Sequence, residues 1–295
     1  MLWFAPPIHP FGLVLAGILP FLAIGVAVAF FAAVVAKQKW LAAASAVALL
    51  AASIVVWPFD AVTDCRPLQA RSADSLVIYQ ANVLTGGGIP ERYRADIQLV
   101  DPDVVLLQEA TSGFASALDD GSLSQLEHRS GATGTLLWSR FPLEERPEFT
   151  RGGIVPVLID DGFGPIELTS VHTAAPYSSE QIATWEVQFE SLAASVVDNG
   201  RARIFGGDFN ATNAHRPFRT LLDTGLTDVH DVAGCGMDAT WPIRTVGPIS
   251  PPPILRLDHV LISDHFDVVG MRVGPSIDQP LGSDHHPVVV ELRRT

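Results

Sequence analysis

Residues 203–210 read Arg203-Ile204-Phe205-Gly206-Gly207-Asp208-Phe209-Asn210, an apolar run that breaks into two glycines, an acid and an amide. Ile204 and Phe205 predict a short strand, and Asp208 and Asn210 then fall on one side of the extended segment beyond it. The paired glycines let the backbone approach a ligand closely. An ordinary Asp/Asn turn is the competing reading. Residues 282–287 repeat the design as Gly282-Ser283-Asp284-His285-His286-Pro287, and Arg256-Leu257-Asp258-His259-Val260 lies between the two. Each segment sets acid, amide or imidazole groups where a hydrophobic strand begins or ends.

Working outward, the run 76–83 predicts a first strand that ends near Asn82, and 103–109 predicts a buried strand closed by Glu109. A carboxylate at the end of an apolar strand is costly to bury without a partner. A hard divalent cation wants such oxygen donors; a salt bridge or a helix cap is the alternative. The Asn82 amide could ligate the cation, fix a neighbouring carboxylate or simply sit in a turn. His285 has the proton affinity for acid–base work near neutrality, and Asp258 is a candidate to orient it. An edge-loop surface histidine is the other reading, and it is the one adopted for His286. His172 ends a strand at 166–172, either facing a phosphoryl oxygen or packed. Arg140 follows a strand and could clamp a phosphate. His215, His259, His265 and the pair His230-Asp231 lack the spacing of further ligands and are read as structural. Asp208 and Asn210 could hold the attacking water and donate to charge growing on phosphorus.

Short apolar runs alternate with turns and amphipathic stretches from Ser75 onward, the pattern of a mixed α/β domain. Further strands are expected at 134–138, 153–159, 257–262, 267–273 and 288–292. Helices are expected at 91–99 and 178–197, with a helical stretch at 221–229. Ser178 with Gln181 forms a capping box for the longest of them. Residues 248–253 read as a proline-rich loop, and Gly86-Gly87-Gly88 as a flexible turn without the Lys-Ser/Thr of a phosphate-binding loop.

The 295-residue chain is 48% hydrophobic and only 17% charged, with a formal net charge of −13. Removing Lys37, Lys39 and Asp60, the only charges before residue 61, from 19 basic and 32 acidic side chains leaves 17 and 31. The remainder therefore carries about −14 and contains no lysine. That balance opposes sequence-blind nucleic-acid binding, which draws on many Lys/Arg–phosphate contacts. Bound divalent metal can offset it locally. Cys65 and Cys235 form no Cys-x-x-Cys pair; they are either two separate thiols or one disulfide, the latter requiring an oxidising compartment.

The excess of apolar residues lies in 1–60. Residues 11–36 and 40–57 predict two transmembrane helices around Lys37-Gln38-Lys39, with Pro20 as a kink and Trp40 and Trp57 at the interfaces. Residues 61–74 then read as a polar linker and 75–295 as the catalytic domain. The basic hinge favours the cytoplasm, which puts the catalytic domain outside the cell membrane.

Taken in order, the strand ending in Asn82, Val105-Leu106-Leu107-Gln108-Glu109, Trp138-Ser139-Arg140-Phe141-Pro142, Val171-His172, Gly207-Asp208-Phe209-Asn210, Leu257-Asp258-His259-Val260 and Ser283-Asp284-His285-His286-Pro287 resemble the endonuclease/exonuclease/phosphatase superfamily, in its membrane-anchored bacterial form. The resemblance implies an α/β, four-layer sandwich of two mixed β-sheets flanked by helices. It implies Mg²⁺ or Mn²⁺ at Glu109 with Asn82 and Asp284 nearby, His285 with Asp258 as the acid–base pair, and Asp208 and Asn210 around the nucleophile. His172 matches a phosphate-contacting position, and Thr240-Trp241-Pro242 a substrate-side motif. Leu84 stands where some relatives carry an extra acid. The expected activity is hydrolysis of a phosphoester by in-line water attack, on a lipid or small molecule, with no protein partner expected. A metal-dependent nuclease and a non-catalytic membrane protein that keeps the fold for binding are the alternatives.

Overall fold

Leu76 and Ile78 point to one side of the first strand and Val77 and Tyr79 to the other, and all four are buried. A strand that is apolar on both faces must lie inside a layered structure. In the computed structural model, which describes residues 19–56, 65–72, 74–132, 134–147, 152–196, 200–236, 238–243 and 252–295, it does. Strand β1 (Ser75–Asn82) runs parallel to β2 (Val104–Gln108) and antiparallel to β12 (Val288–Arg294). With β3 (His128–Ala132), β4 (Thr135–Ser139) and β11 (Phe266–Val273) these form a six-stranded sheet in the order β11-β12-β1-β2-β4-β3. The second sheet has the order β5-β6-β7-β8-β10-β9, from β5 (Leu143–Glu145), β6 (Ile154–Asp160), β7 (Pro165–His172), β8 (Ala202–Asp208), β9 (Thr227–Asp228) and β10 (Asp258–Ile262).

Three apolar clusters make four layers. Ile78, Leu106 and Leu137 from one sheet meet Leu168, Ile204 and Val260 from the other in the central core. Outside the first sheet, Tyr79 and Leu107 pack with Tyr93 and Ile97 of α3 (Pro90–Val100) and with Phe114 and Leu118 of α4 (Ser112–Leu118). Outside the second, Phe205 and Leu261 pack with Trp185 and Phe189 of α5 (Ser179–Ser195) and with Phe218 of α6 (Arg216–Leu222). The Ser178 hydroxyl caps α5 by accepting from Gln181 N at 3.2 Å, as the capping pattern predicts.

Strand polarity decides where the chemistry lies. β1 and β2 are parallel, with Asn82 opposite Gln108, so Asn82 and Glu109 emerge at one rim. β7 and β8 are parallel, with His172 opposite Asp208. β10 runs antiparallel to β8 and starts there, Asp258 opposite Asp208. β4 is antiparallel to β2, with Ser139 opposite Val104, so Arg140 leaves at the opposite rim.

Several expectations need correction. β8 extends through Gly206-Gly207 to Asp208 because β7 runs hard against it: a Cβ on Gly207, at φ 151°, would overlap the Val171 carbonyl oxygen. Gly207 thus admits the neighbouring strand rather than a ligand, and Gly206 makes room for the Leu106 side chain of the other sheet. The stretch 221–229 is not one helix; the end of α6 and the short strand β9 occupy it, and α7 (Val229–Ala233) follows, capped by the Asp228 side chain. Strands β3 and β5 and helix α4 were not expected. The proline-rich loop at 248–253 lies largely outside the described residues.

The segment 65–72 is strapped to the domain instead of hanging as a linker. Cys65 is disulfide-bonded to Cys235. Arg66 N donates to Ala233 O at 2.9 Å, Met271 N to Arg66 O at 2.8 Å and Gln69 N to Glu291 Oε2 at 3.0 Å. Gly270 has no side chain because Pro67 crosses there. Before the strap, α1 (Leu19–Val35) and α2 (Lys39–Val56) turn back on each other through Lys37, at φ 58°. No helix among the described residues is long and apolar enough to cross a membrane. The spanning expectation finds no support there, and its residues 11–18 and 57 lie outside the description.

Disulfides of this kind are worth about 2–5 kcal/mol. Cys235→Ser should lower the denaturant midpoint accordingly, and a reducing agent should bring the wild type to the same midpoint while leaving the variant unmoved.

Candidate active site

Asn82 stands at the centre of the rim. Its Nδ2 donates to Glu109 Oε1 and to Asp208 Oδ2, both at 3.0 Å, and its Oδ1 accepts from Leu84 N at 3.0 Å. One amide therefore joins an acid of the first sheet to an acid of the second. Glu109, at φ 58°, is aimed by a left-handed residue right after its strand. Burial works to raise its carboxyl, but the Thr85 N–H at 2.9 Å and the Asn82 amide outweigh it and hold the pKa below the ordinary value. His172 Nε2 lies 3.9 Å from Glu109 Oε1.

Asp208 is buried, with 1% of its surface exposed. Burial raises its carboxyl above the usual range against the pull of His285. Asn210 N donates to Asp208 Oδ1 at 2.8 Å, and Asn210 Nδ2 donates to Thr173 O at 3.0 Å. Facing this group, His285 Nδ1 pairs with Asp258 Oδ2 at 2.8 Å, and its Nε2 lies 3.9 Å from Asp208 Oδ2 and 4.0 Å from Asp284 Oδ1. Burial opposes charge on the imidazole, but Asp258 and Asp208 overcome that and push its pKa up to about 10. With Nδ1 fixed, Nε2 points at the acids, poised to donate a proton.

Of the residues expected at the site, the structure brings together Asn82, Glu109, His172, Asp208, Asn210, Asp258, Asp284 and His285. Trp241 is with them: its Nε1 donates to Asp284 Oδ2 at 3.0 Å, and its ring centroid is 6.4 Å from that of His285. Arg140 is not. At the far rim it bonds Asp103 at 2.9 Å and Asp101 at 2.8 Å, so the phosphate-clamp expectation falls. The sequence reading missed Gln80, whose Nε2 donates to Asp258 Oδ1 at 3.0 Å and to Gln108 Oε1 at 2.8 Å. It sits two residues before Asn82 on the same strand face, and that alternation was the available signal. Ser283 was missed too: its Oγ donates to Asn82 O and accepts from His285 N.

A second Asp–His pair lies next door and faces away. His259 follows Asp258 on β10, so its ring projects to the opposite face. There Nδ1 pairs with Asp228 at 2.8 Å and the ring stacks 4.3 Å from Phe218. Burial would raise Asp228, but Arg256 and His259 hold it well below the carboxylate range. The structural reading of His215, His230 and His259 stands: all three are buried and none joins the rim.

The profile of the Endonuclease/Exonuclease/phosphatase family matches residues 79–285, which includes every strand end at this rim. The chain belongs to that family. Among solved structures, the family protein from Beutenbergia cavernae is 20% identical, with a TM-score of 0.55 over 75% of this chain and 72% of its own. D. rerio TDP2, complexed with a single-strand DNA product, is 15% identical with a TM-score of 0.54 over 74% and 99%. Beta toxin from Staphylococcus aureus is 16% identical with a TM-score of 0.52 over 73% and 99%. These likenesses establish the shared fold. No curated protein matches the chain.

A divalent cation fits the donor set that this family member presents. Glu109, Asp208, Asp284 and Asn82 offer oxygens, which suit a hard ion. Oδ1 of Asp284 is buried and has no hydrogen-bond partner, an expensive state that a cation would relieve. Asp208, Asp258 and His285 also bring ligand atoms within 4.8 Å of one another.

Because His285 titrates higher folded than unfolded, where about 6.5 is usual, its contribution to stability is complete below that pH and is lost as pH rises through about 10. With a chelator present, the urea midpoint should fall between about pH 7 and 10 in the wild type. His285→Gln should flatten that fall; an unchanged slope would remove His285 as its source.

Proposed function

We propose that this protein is a metal-dependent phosphoesterase, acting on phosphodiesters or phosphomonoesters of lipids or small molecules, and anchored to a membrane by its N-terminal hairpin. The observation that carries the reading is the His285–Asp258 pair aimed across Asp208 at the Asn82-bridged Glu109. Bound Mg²⁺ or Mn²⁺ would neutralise the phosphate and the leaving oxygen, worth several kcal/mol in such sites. Glu109, Asp208, Asp284 and Asn82 would hold it. We favour this set over Asp208, Asp258 and His285 because it includes the buried Oδ1 of Asp284, which has no hydrogen-bond partner, whereas Asp258 is committed to orienting His285. Asp208 and Asn210 hold and orient the attacking water. His285 donates to phosphoryl oxygen, with Asp258 fixing its tautomer and His172 on the Glu109 side.

Membrane attachment rests on the near absence of charge before residue 61 and on Phe31, Val35, Trp40 and Val47, all exposed on the hairpin. An extracytoplasmic catalytic domain is supported by the Cys65–Cys235 disulfide, which persists in oxidising compartments.

A nuclease is the second reading, favoured by the fold shared with D. rerio TDP2, complexed with a single-strand DNA product. Against it, Arg71, Arg129, Arg140, Arg203, Arg256, Arg293 and Arg294 face carboxylates of this same chain, and no lysine follows Lys39. Single-strand binders need a basic groove. Plasmid DNA compared with phospholipid at equal Mg²⁺ separates the two.

His285→Ala should lower Mg²⁺-dependent hydrolysis of bis(4-nitrophenyl) phosphate by about 10²–10⁴-fold. Circular dichroism should show the fold retained. Wild-type turnover by the variant contradicts the assignment.

A further inference from the structure

The loop that follows β7 is pinned into the site along its first half and ends on an exposed aromatic ring. Thr173 N donates to Asp208 O at 3.1 Å, and Thr173 Oγ1 donates to Phe209 O at 2.5 Å. Thr173 O accepts from Asn210 Nδ2, and Ala174 N donates to Gln188 Oε1 at 2.8 Å. A tight turn, Tyr177 N to Ala175 O at 2.8 Å, then presents Tyr177 just before Ser178 caps α5. Anchors on both sides fix this position, yet the Tyr177 side chain is 69% exposed. Burial raises the pKa of its phenol, and the charges of Asp208, Asp284 and Glu109 raise it further. A second aromatic ring, Trp241, is held at the same rim by Asp284.

We propose that Tyr177 is a specificity-determining residue whose ring packs on a flat, unsaturated group esterified to the scissile phosphate, with Trp241 as the other wall of the mouth. The proposal rests on the phosphoesterase reading and narrows it to diesters bearing an aryl or heteroaryl ring. Two features favour a ring over a flexible alkyl chain or a polyanion. Both walls are rigid aromatics, which stack on any π-face at little entropic cost. The acids at the rim repel a second phosphate, while a neutral ring is not penalised.

The test compares bis(4-nitrophenyl) phosphate with glycerophosphocholine, a ring-free diester, as substrate or as competitive inhibitor, on the Mg²⁺-loaded full chain. Tyr177→Ala should raise KM for the ringed diester about tenfold, with a smaller change in kcat. KM or Ki for glycerophosphocholine should stay within about twofold, and Tyr177→Phe should bring the ringed KM back towards wild type. If the wild type hydrolyses the ringed diester and Tyr177→Ala shifts neither substrate, or both equally, the ring preference is wrong and the phosphoesterase reading survives. If the wild type hydrolyses no phosphoester, both fall together.

Discussion

The Asn82 side chain ties the two sheets together at the rim, and the acids there depend on it. Its single amide nitrogen satisfies Glu109 from the first sheet and Asp208 from the second, and its oxygen is held by the backbone of Leu84. Neither acid faces an arginine or lysine among their described partners. A buried carboxylate without a compensating donor is strongly destabilising. Against the acids gathered there stand the Asn82 amide, the Thr85 and Asn210 backbone N–H groups, the Trp241 indole and the His285 imidazole. That balance leaves room for a further positive charge, and the unpartnered Oδ1 of Asp284 points to the same conclusion.

Strand direction turns this chemistry into a site. Two parallel pairs, β1 with β2 and β7 with β8, discharge their last residues at the same rim, and β10 begins there because it runs the other way. Gly207 lets β8 lie close against β7, which sets Asp208 beside His172, and Gly206 makes room for Leu106 of the other sheet. Alternation along β10 then separates two neighbouring residues into two jobs. Asp258 faces the rim and orients His285, while His259 faces outward and braces the second sheet against α6 through Asp228 and Phe218.

Much of this was legible in the sequence because burial on both faces leaves a long apolar signature, and because a polar residue ending such a run has few reasons to be there. The strands ending in Asn82 and Glu109 were readable for that reason. Arg140 misled because a strand end in one dimension does not say which rim it occupies; only the antiparallel pairing with β2 does. Gln80 and Ser283 were hidden because their importance lies in what they touch across sheets. The edge strand Leu143–Glu145 carries too little apolar character to stand out, and the residues of the strap at 65–72 look like any polar linker until the disulfide and the β11 contacts are known. The 221–229 stretch reads as helical, but a two-residue strand beside β10 interrupts it.

The proposed cation among Glu109, Asp208, Asp284 and Asn82 is tested by anomalous diffraction from Mn²⁺-soaked crystals of the full chain. A single manganese peak bonded to a Glu109 carboxylate oxygen, with the His285–Asp258 hydrogen bond intact, is the predicted result. A peak bonded to Asp258 and His285, or none at saturating Mn²⁺, would contradict it.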